Sequence, residues 1–338
     1  MTCWAWTIIF WVSSGFAAFC HKFYILAGVH GRAKQHFSFS HILLNTINTH
    51  YRLSHKIEDE AFALSQASYC NLYLSLSQKA IRLAVVDTVR NKFVVLEDYE
   101  LITVFTPLQM AEQLRLIATE NPLLQDQHWN AIRVSFSNQN FTLVPQTLYD
   151  PAHREDYLRL HSELNPLQDV VLAYRHSGLE AINIFSVDAG AHQALQDIFL
   201  RRPLQVVHQT SALIRSMLHH TDGTAARNMK IFVEQNFVTI LVVSQGGLEF
   251  CNIFQYQSPE DFIYFIVFVM QEQKLNQEQD TLTVWGDITH DSALFHILQK
   301  YVRHVKLGKK PADVEYSYKF NDMFEHRYFE LYSLHLCE

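Results

Sequence analysis

Three groups of residues in this chain have types and spacings that could do chemistry, and each has to be weighed against a plainer use. Glu97, Asp98 and Glu100 offer an acid pair. A cluster of this kind within a strand more commonly decorates a solvated edge or an interface. His219, His220 and Asp222 offer metal ligands near a helix end. Consecutive histidines point to different helix faces, however, and cations there complement the helix dipole without any metal. The five cysteines, Cys3, Cys20, Cys70, Cys251 and Cys337, form no C-x-x-C pair and are odd in number. Neither a zinc site nor a disulfide framework follows from them, and a reducing, cytoplasmic compartment fits best. Cys70 and Cys251 fall in expected strands and read as small core residues. No Gly-x-Ser-x-Gly elbow occurs, and among 19 histidines a Cys-His or Ser-His pairing can be drawn anywhere, so such pairings carry no information. No catalytic residue and no metal ligand is assigned on these grounds.

The elements that position these groups belong to an ordinary globular chain. Its 338 residues are 49% hydrophobic and 18% charged, enough for roughly two domains. A formal charge of -7 without a long basic run excludes an electrostatic nucleic-acid binder, because neutralising phosphate needs clustered Lys and Arg. Lys306, Lys309 and Lys310 are the nearest approach and read as a solvated loop. Residues 1–55 read as an N-terminal extension, apolar from Cys3 to Cys20 and irregular after that. Nothing basic precedes the apolar stretch, unlike a secretory signal, and membrane contact follows only if residues 3–20 span a bilayer. In that case Lys22, Arg32 and Lys34 would keep the remainder cytoplasmic. A chain starting near His55 is therefore expected to be as stable as the whole.

Two stretches, Tyr69 to Ser137 and Asn228 to Val305, repeat one pattern of three strands, a helix and a fourth strand. In the first, Leu72, Leu74 and Leu76 alternate with Asn71, Tyr73 and Ser75, which predicts a half-buried strand. Strands from Ile81 and Phe93, a helix from Pro107 and a strand from Trp129 follow, with Phe141 to Val144 after a turn. In the second, Met229 to Glu234, Phe237 to Val243 and Leu248 to Tyr256 make a meander closed by Gly246-Gly247. Ser258-Pro259-Glu260-Asp261 then carries an N-cap hydroxyl, a proline at the first helical position and first-turn carboxylates. Phe262 to Met270 is apolar around its circumference, which predicts a helix buried on several sides, between the lobes. Between the copies, strands Val170 to Arg175 and Ala181 to Val187, a helix from Asp188 to Phe199 and a strand Leu204 to His208 read as a small inserted lobe at about 165–203. The aromatic-rich end, with Tyr316, Phe320, Phe324, Tyr328 and Tyr332, reads as a strap packed on the core.

A duplicated meander, helix and strand with a lobe inserted in the first copy resembles the actin-like ATPase superfamily, whose domains are ribonuclease H-like. More closely, Ile57 to Glu338 resembles the uncharacterised bacterial family numbered 3822 among domains of unknown function. The similar features are Asn91-Lys92-Phe93, Phe141-Thr142-Leu143-Val144-Pro145, Cys251-Asn252, Ser258 to Asp261, Gly286 with Asp291-Ser292, and the Cys337-Glu338 terminus. The resemblance implies an α/β fold of two mixed five-stranded sheets with helices: a first domain at 56–226 holding the lobe, and a second at 227–338 ending in the strap.

The superfamily also implies a chemical test, since its active members hold nucleotide phosphates and metal with a glycine-containing acidic hairpin in each copy. Close approach of backbone N–H groups to phosphate favours glycine, and a carboxylate must orient Mg2+. The first hairpin here reads Leu74-Ser75-Leu76-Ser77-Gln78-Lys79, with neither acid nor glycine. The second offers Glu234 as the acid and Asn236 for a left-handed backbone. The adenosine turn keeps Gly286 beside Asp287, a carboxylate that would repel phosphate unless a metal intervened. Ser75, Ser77, Glu234, Asn236, Gly286 and Asp287 are thus degenerate phosphate-loop positions. The expectation is a non-catalytic binding or scaffold module with no cofactor, engaging an unknown protein partner or itself. The alternative is an ATPase or phosphotransferase holding ATP-Mg through Glu234 and Asp287.

Overall fold

The computed structural model of the protein describes residues 50–102, 107–125, 128–200, 202–219 and 227–337. The apolar stretch Cys3 to Cys20, and His220 and Asp222 of the histidine group, lie outside the described residues.

Strands β1 (Tyr51–Glu58), β2 (Cys70–Leu76), β3 (Ala80–Asp87) and β4 (Lys92–Leu101) open the fold, followed by helix α1 (Pro107–Glu120) and strand β5 (Ala131–Phe136). β2, β3 and β4 form the expected antiparallel meander, and β5 returns parallel to β2. The next elements are β6 (Phe141–Pro145), α2 (Arg154–Arg159), β7 (Asp169–Arg175), β8 (Ala181–Asp188), α3 (Ala189–Ile198), β9 (Gln205–His208) and α4 (Gln209–His219). A second meander, β10 (Asn228–Glu234), β11 (Phe237–Ser244) and β12 (Gly247–Gln255), leads to α5 (Pro259–Glu272), β13 (Thr281–Gly286), α6 (Ala293–Tyr301) and β14 (His304–Leu307). The chain closes with β15 (Glu315–Tyr316) and α7 (Phe329–Ser333).

These strands make a seven-stranded sheet ordered β1-β4-β3-β2-β5-β9 with β15 beside β4, a five-stranded sheet ordered β12-β11-β10-β13-β14, and a three-stranded sheet ordered β6-β8-β7. The first two share one succession, a meander whose first strand is joined in parallel by the strand after the helix. Short-range chemistry explains the local elements. Ser258 caps α5 by accepting from the Asp261 N–H while the Asp261 carboxylate accepts from the Ser258 N–H, a reciprocal arrangement that satisfies two orphan donors. Asp188 caps α3 in the same sense, through the Ala191 N–H.

Five expectations need correction. The boundary at residue 55 falls inside β1, which pairs with β4 from Tyr51↔Leu101 to Glu58↔Val95. Tyr51 is buried, bonds to Glu120 and stacks edge-on to Tyr99 at 5.7 Å, so the sheet needs residues before His55. Strand β2 is buried on both faces, Tyr73 and Ser75 included, because α7 packs over its polar side. The small sheet takes β6 rather than β9 and has its own core of Val144, Leu158, Val171, Ile182 and Ile184. α3 joins the main core through Ala191, Ala194 and Leu195, beside Ala111 and Leu114 of α1, and β9 extends the large sheet. α5 does not lie between the sheets: Phe262, Ile266 and Met270 pack with α6 on the second sheet, while Tyr264 and Phe268 are 62% and 42% exposed. The helices that join the two sheets are α4 and α7, where Leu213, Ile214 and Met217 meet Phe232, Leu241, Trp285 and Phe329. Finally, the aromatic strap follows the second sheet in sequence but packs on the first, with β15 along β4 and Phe320 and Tyr332 in the first core.

Candidate functional site

The tips of the β2–β3 and β10–β11 hairpins and the end of β13 meet at a cleft of about 500 Å³. Arg82 forms its floor. It lies third along β3, in a run of otherwise apolar residues, where the register sets it between Ser75 on β2 and Asp98 on β4. Its Nε donates to Asp98 Oδ1 at 3.4 Å, Nη1 to Glu234 Oε1 at 3.0 Å and Nη2 to Asp287 Oδ2 at 3.3 Å. Burial by itself would lower the guanidinium pKa, but Asp287, Asp98 and Glu234 outweigh it and raise the value. The ring of Tyr328 lies 5.6 Å from the guanidinium carbon, and its hydroxyl donates to Asp98 Oδ2 at 2.9 Å. A buried cation shared by three carboxylates contributes little net energy compared with an apolar replacement, yet removing it strands uncompensated charge.

The glycine at the end of β13 is fixed by sterics. Gly286 has φ +97°, and a Cβ there would stand 2.0 Å from the Val233 carbonyl oxygen. The Asp287 N–H donates to that same oxygen at 2.7 Å, and the Gly286 N–H donates to the His326 carbonyl at 2.9 Å. The Gly286 donor is therefore taken by the protein's own strap. Asp287 also approaches Arg327 Nε at 3.6 Å.

Of the residues singled out in the sequence, Glu234, Gly286 and Asp287 come together here. Ser75 and Ser77 do not reach the cleft: Ser75 bonds to Glu330, and Ser77 closes its own turn onto Ala80. The left-handed residue of the second hairpin is Gln235, at φ +54°, rather than Asn236, whose carbonyl accepts from the Tyr256 N–H. Glu97 and Asp98, expected on a solvated edge, are 2% and 4% exposed, because the strap and the residues after α1 cover them. Glu97 accepts from Tyr99, Asn121 and Lys56. Among the described residues no group of three or more His, Cys, Asp and Glu side chains could hold a metal ion.

Below the cleft lies a second buried acid. Glu330 on α7 is 3% exposed and receives the Ser135 and Ser75 hydroxyls, with no ion-pair partner among the described residues. Burial, reinforced by the charge of Glu234, pushes its pKa up to about 7.

The family model described as "Protein of unknown function (DUF3822)" matches residues 59–305. The chain belongs to this family. Among solved structures, the DUF3822 chain is similar to a Bacteroides thetaiotaomicron protein with an actin-like ATPase fold and unknown function. They share 17% identity at a TM-score of 0.71, over 82% of this chain and 99% of that one. It is also similar to a chain of a PilM-PilN type IV pilus biogenesis complex, at 12% identity and TM-score 0.51, over 79% of this chain and 98% of that one. The α/β fold of this DUF3822 member is thus of the actin-like ATPase kind. No curated protein matches it. Sequence reading missed Arg82 and Glu330, and one signal could have found the first: an arginine inside a strand otherwise apolar from Ile81 to Val86 must be paired once buried.

Proposed function

We propose that this protein is a non-catalytic actin-like module, two duplicated domains with a small inserted lobe, that serves as a cytoplasmic protein-binding or scaffold element. The observation that carries the reading is Arg82, whose guanidinium stands against both carboxylates, Glu234 and Asp287, that a nucleotide-bound metal would need. A Mg2+ ion there would have to displace a buried cation and leave it with Asp98 alone. The first hairpin adds no compensating cradle, since its tip, Gln78-Lys79, brings neither glycine nor acid. Ion pairs from Arg82 on the first sheet to Glu234 and Asp287 also tie the two sheets together across the cleft. Free thiols at Cys70, Cys251 and Cys337 fit a reducing compartment. Among the described residues no helix is long and apolar enough to cross a membrane. The pilus neighbour is a chain of a PilM-PilN complex, and partner binding is the kind of role proposed here.

Calorimetric titration with ATP and Mg2+ tests the reading. We expect no hydrolysis and no binding tighter than about millimolar, roughly 4 kcal/mol. Micromolar binding abolished by Glu234→Ala would overturn it in favour of an ATPase or phosphotransferase.

A further inference from the structure

A second hollow, of about 200 Å³, shares no lining residue with the Arg82 cleft. It sits where the turn from β7 to β8, the C-terminal half of α4 and the β11–β12 turn at Gly246 meet. Leu179, Ile214 and Leu218 form an apolar wall that belongs to the cluster joining the two large sheets. His176 and Arg215 add nitrogen donors to it. Among the described residues no carboxylate side chain lines this hollow.

Both of those side chains carry a nitrogen whose hydrogen bonding is unmet. His176, just after β7, is 3% exposed, and its Nε2 is buried with no hydrogen-bond partner among the described residues. Burial, with the Arg215 charge nearby, holds its pKa down to about 4, so the ring is neutral at pH 7 and one nitrogen still carries a proton. Arg215 Nη1 donates to the Ser177 carbonyl. The turn is shaped around that contact, since Gly178 has φ +85° and a Cβ there would crowd Nη1 at 3.1 Å. Arg215 Nε is buried without a partner, and no carboxylate pairs with the guanidinium among the described residues. Buried nitrogens left in this way are unfavourable, and a bound acceptor relieves them.

The chemistry of that acceptor follows from the hollow. A positive charge without a counter-ion asks for a negative one, and the Nε edge of a guanidinium matches the two oxygens of a planar carboxylate. A neutral imidazole N–H adds a hydrogen bond without adding charge, which favours a monoanion over a phosphate dianion. The leucine and isoleucine wall asks for an apolar body, and the volume is below that of a drug-sized site, so the body is short. We propose that this hollow binds a small monocarboxylate with a short aliphatic chain, its carboxylate on Arg215 and His176 and its chain against Leu179, Ile214 and Leu218. The bound molecule bridges the small sheet and α4. The proposal is independent of whether the Arg82 cleft takes a nucleotide, because the two sites have no residue in common.

Calorimetric titration of the full chain with sodium butanoate is the test, with butan-1-ol, butan-1-amine and inorganic phosphate compared at fixed ionic strength. Butanoate is expected to bind with Kd at or below about 1 mM, and each of the other three at least about tenfold more weakly. Arg215→Met should weaken butanoate about tenfold or more and His176→Phe about fivefold. Arg303→Ala, which removes an exposed cation on another element, should leave it unchanged. Thermal melts verify that the variants fold. Arg215 is partly exposed, so its methionine variant keeps the test decisive even where the buried His176→Phe fails to fold. Equal affinity for butanoate and any of the three comparison compounds, indifference to Arg215→Met, or no butanoate binding up to about 10 mM overturns the proposal.

Discussion

The two large sheets each turn their hairpins through two residues, Gln78-Lys79 and Gln235-Asn236, yet they place opposite chemistry at matching positions. Counted back from the turn, Ser77 and, on β2, Leu76 and Ser75 correspond to Glu234, Val233 and Phe232 on β10, and Ala80, Ile81 and Arg82 on β3 to Phe237, Val238 and Thr239 on β11. The first sheet supplies the buried cation and the second supplies the acid at the turn. α7 joins the two halves with adjacent residues: Phe329 packs with Phe232 and Trp285 of the second sheet, and Glu330 takes the hydroxyls of Ser75 and Ser135 on the first. One topology thus accommodates two solutions, provided that the pieces laid over it match. In an active superfamily member both hairpins would face a shared ligand; here one hairpin and its neighbouring strand serve as counter-ions for the other.

Making the first hairpin like the second should break this most severely. Arg82→Thr, which copies Thr239, leaves Asp98 and Glu234 buried without their cation and is expected to cost about 3–5 kcal/mol, read as a lowered urea midpoint. Next is the pH dependence of the α7 contact. Glu330 has a folded pKa of about 7 against an ordinary 4.5, so the folded state keeps a proton that the unfolded chain releases. The sign follows: stability from this group is full below pH 4.5, falls as pH rises towards 7 and stays reduced above it, by about 3 kcal/mol. Glu330→Gln should remove that slope between pH 4.5 and 7 in melts across the range, and an unchanged slope would assign it elsewhere. Smaller again is the strand that only the first sheet has. A chain beginning at His55 loses buried Tyr51 and half of β1, for a cost of about 2 kcal/mol relative to the full chain. The smallest effect is expected at Arg303, whose bridge to Glu278 has side chains 67% and 73% exposed. Arg303→Ala should move stability by less than about 0.5 kcal/mol, which sets the scale against which the buried Arg82 is judged.

Much of this molecule was legible one segment at a time. Alternation marked β2, the Gly246-Gly247 turn marked the hairpin into β12, and Ser258 with Asp261 marked the start of α5, because strand period, turn conformation and helix capping depend on residues within a few positions of one another. The family motifs carried the superfamily fold in the same way. What covers each face was not legible. The polar side of β2 reads as solvent-facing until α7, more than 250 residues later, is laid on it. α5 is apolar around its circumference and still exposes Tyr264 and Phe268, since hydrophobicity says what can be buried and only packing says what is. The site followed the same division. The sequence alone determined that Glu234, Gly286 and Asp287 would cluster, through the fold it resembled, and that the first hairpin lacked phosphate chemistry. Only the tertiary structure decided that Arg82 would hold those acids, because its three partners lie 16, 152 and 205 residues away and no local spacing encodes a contact made by four strands converging.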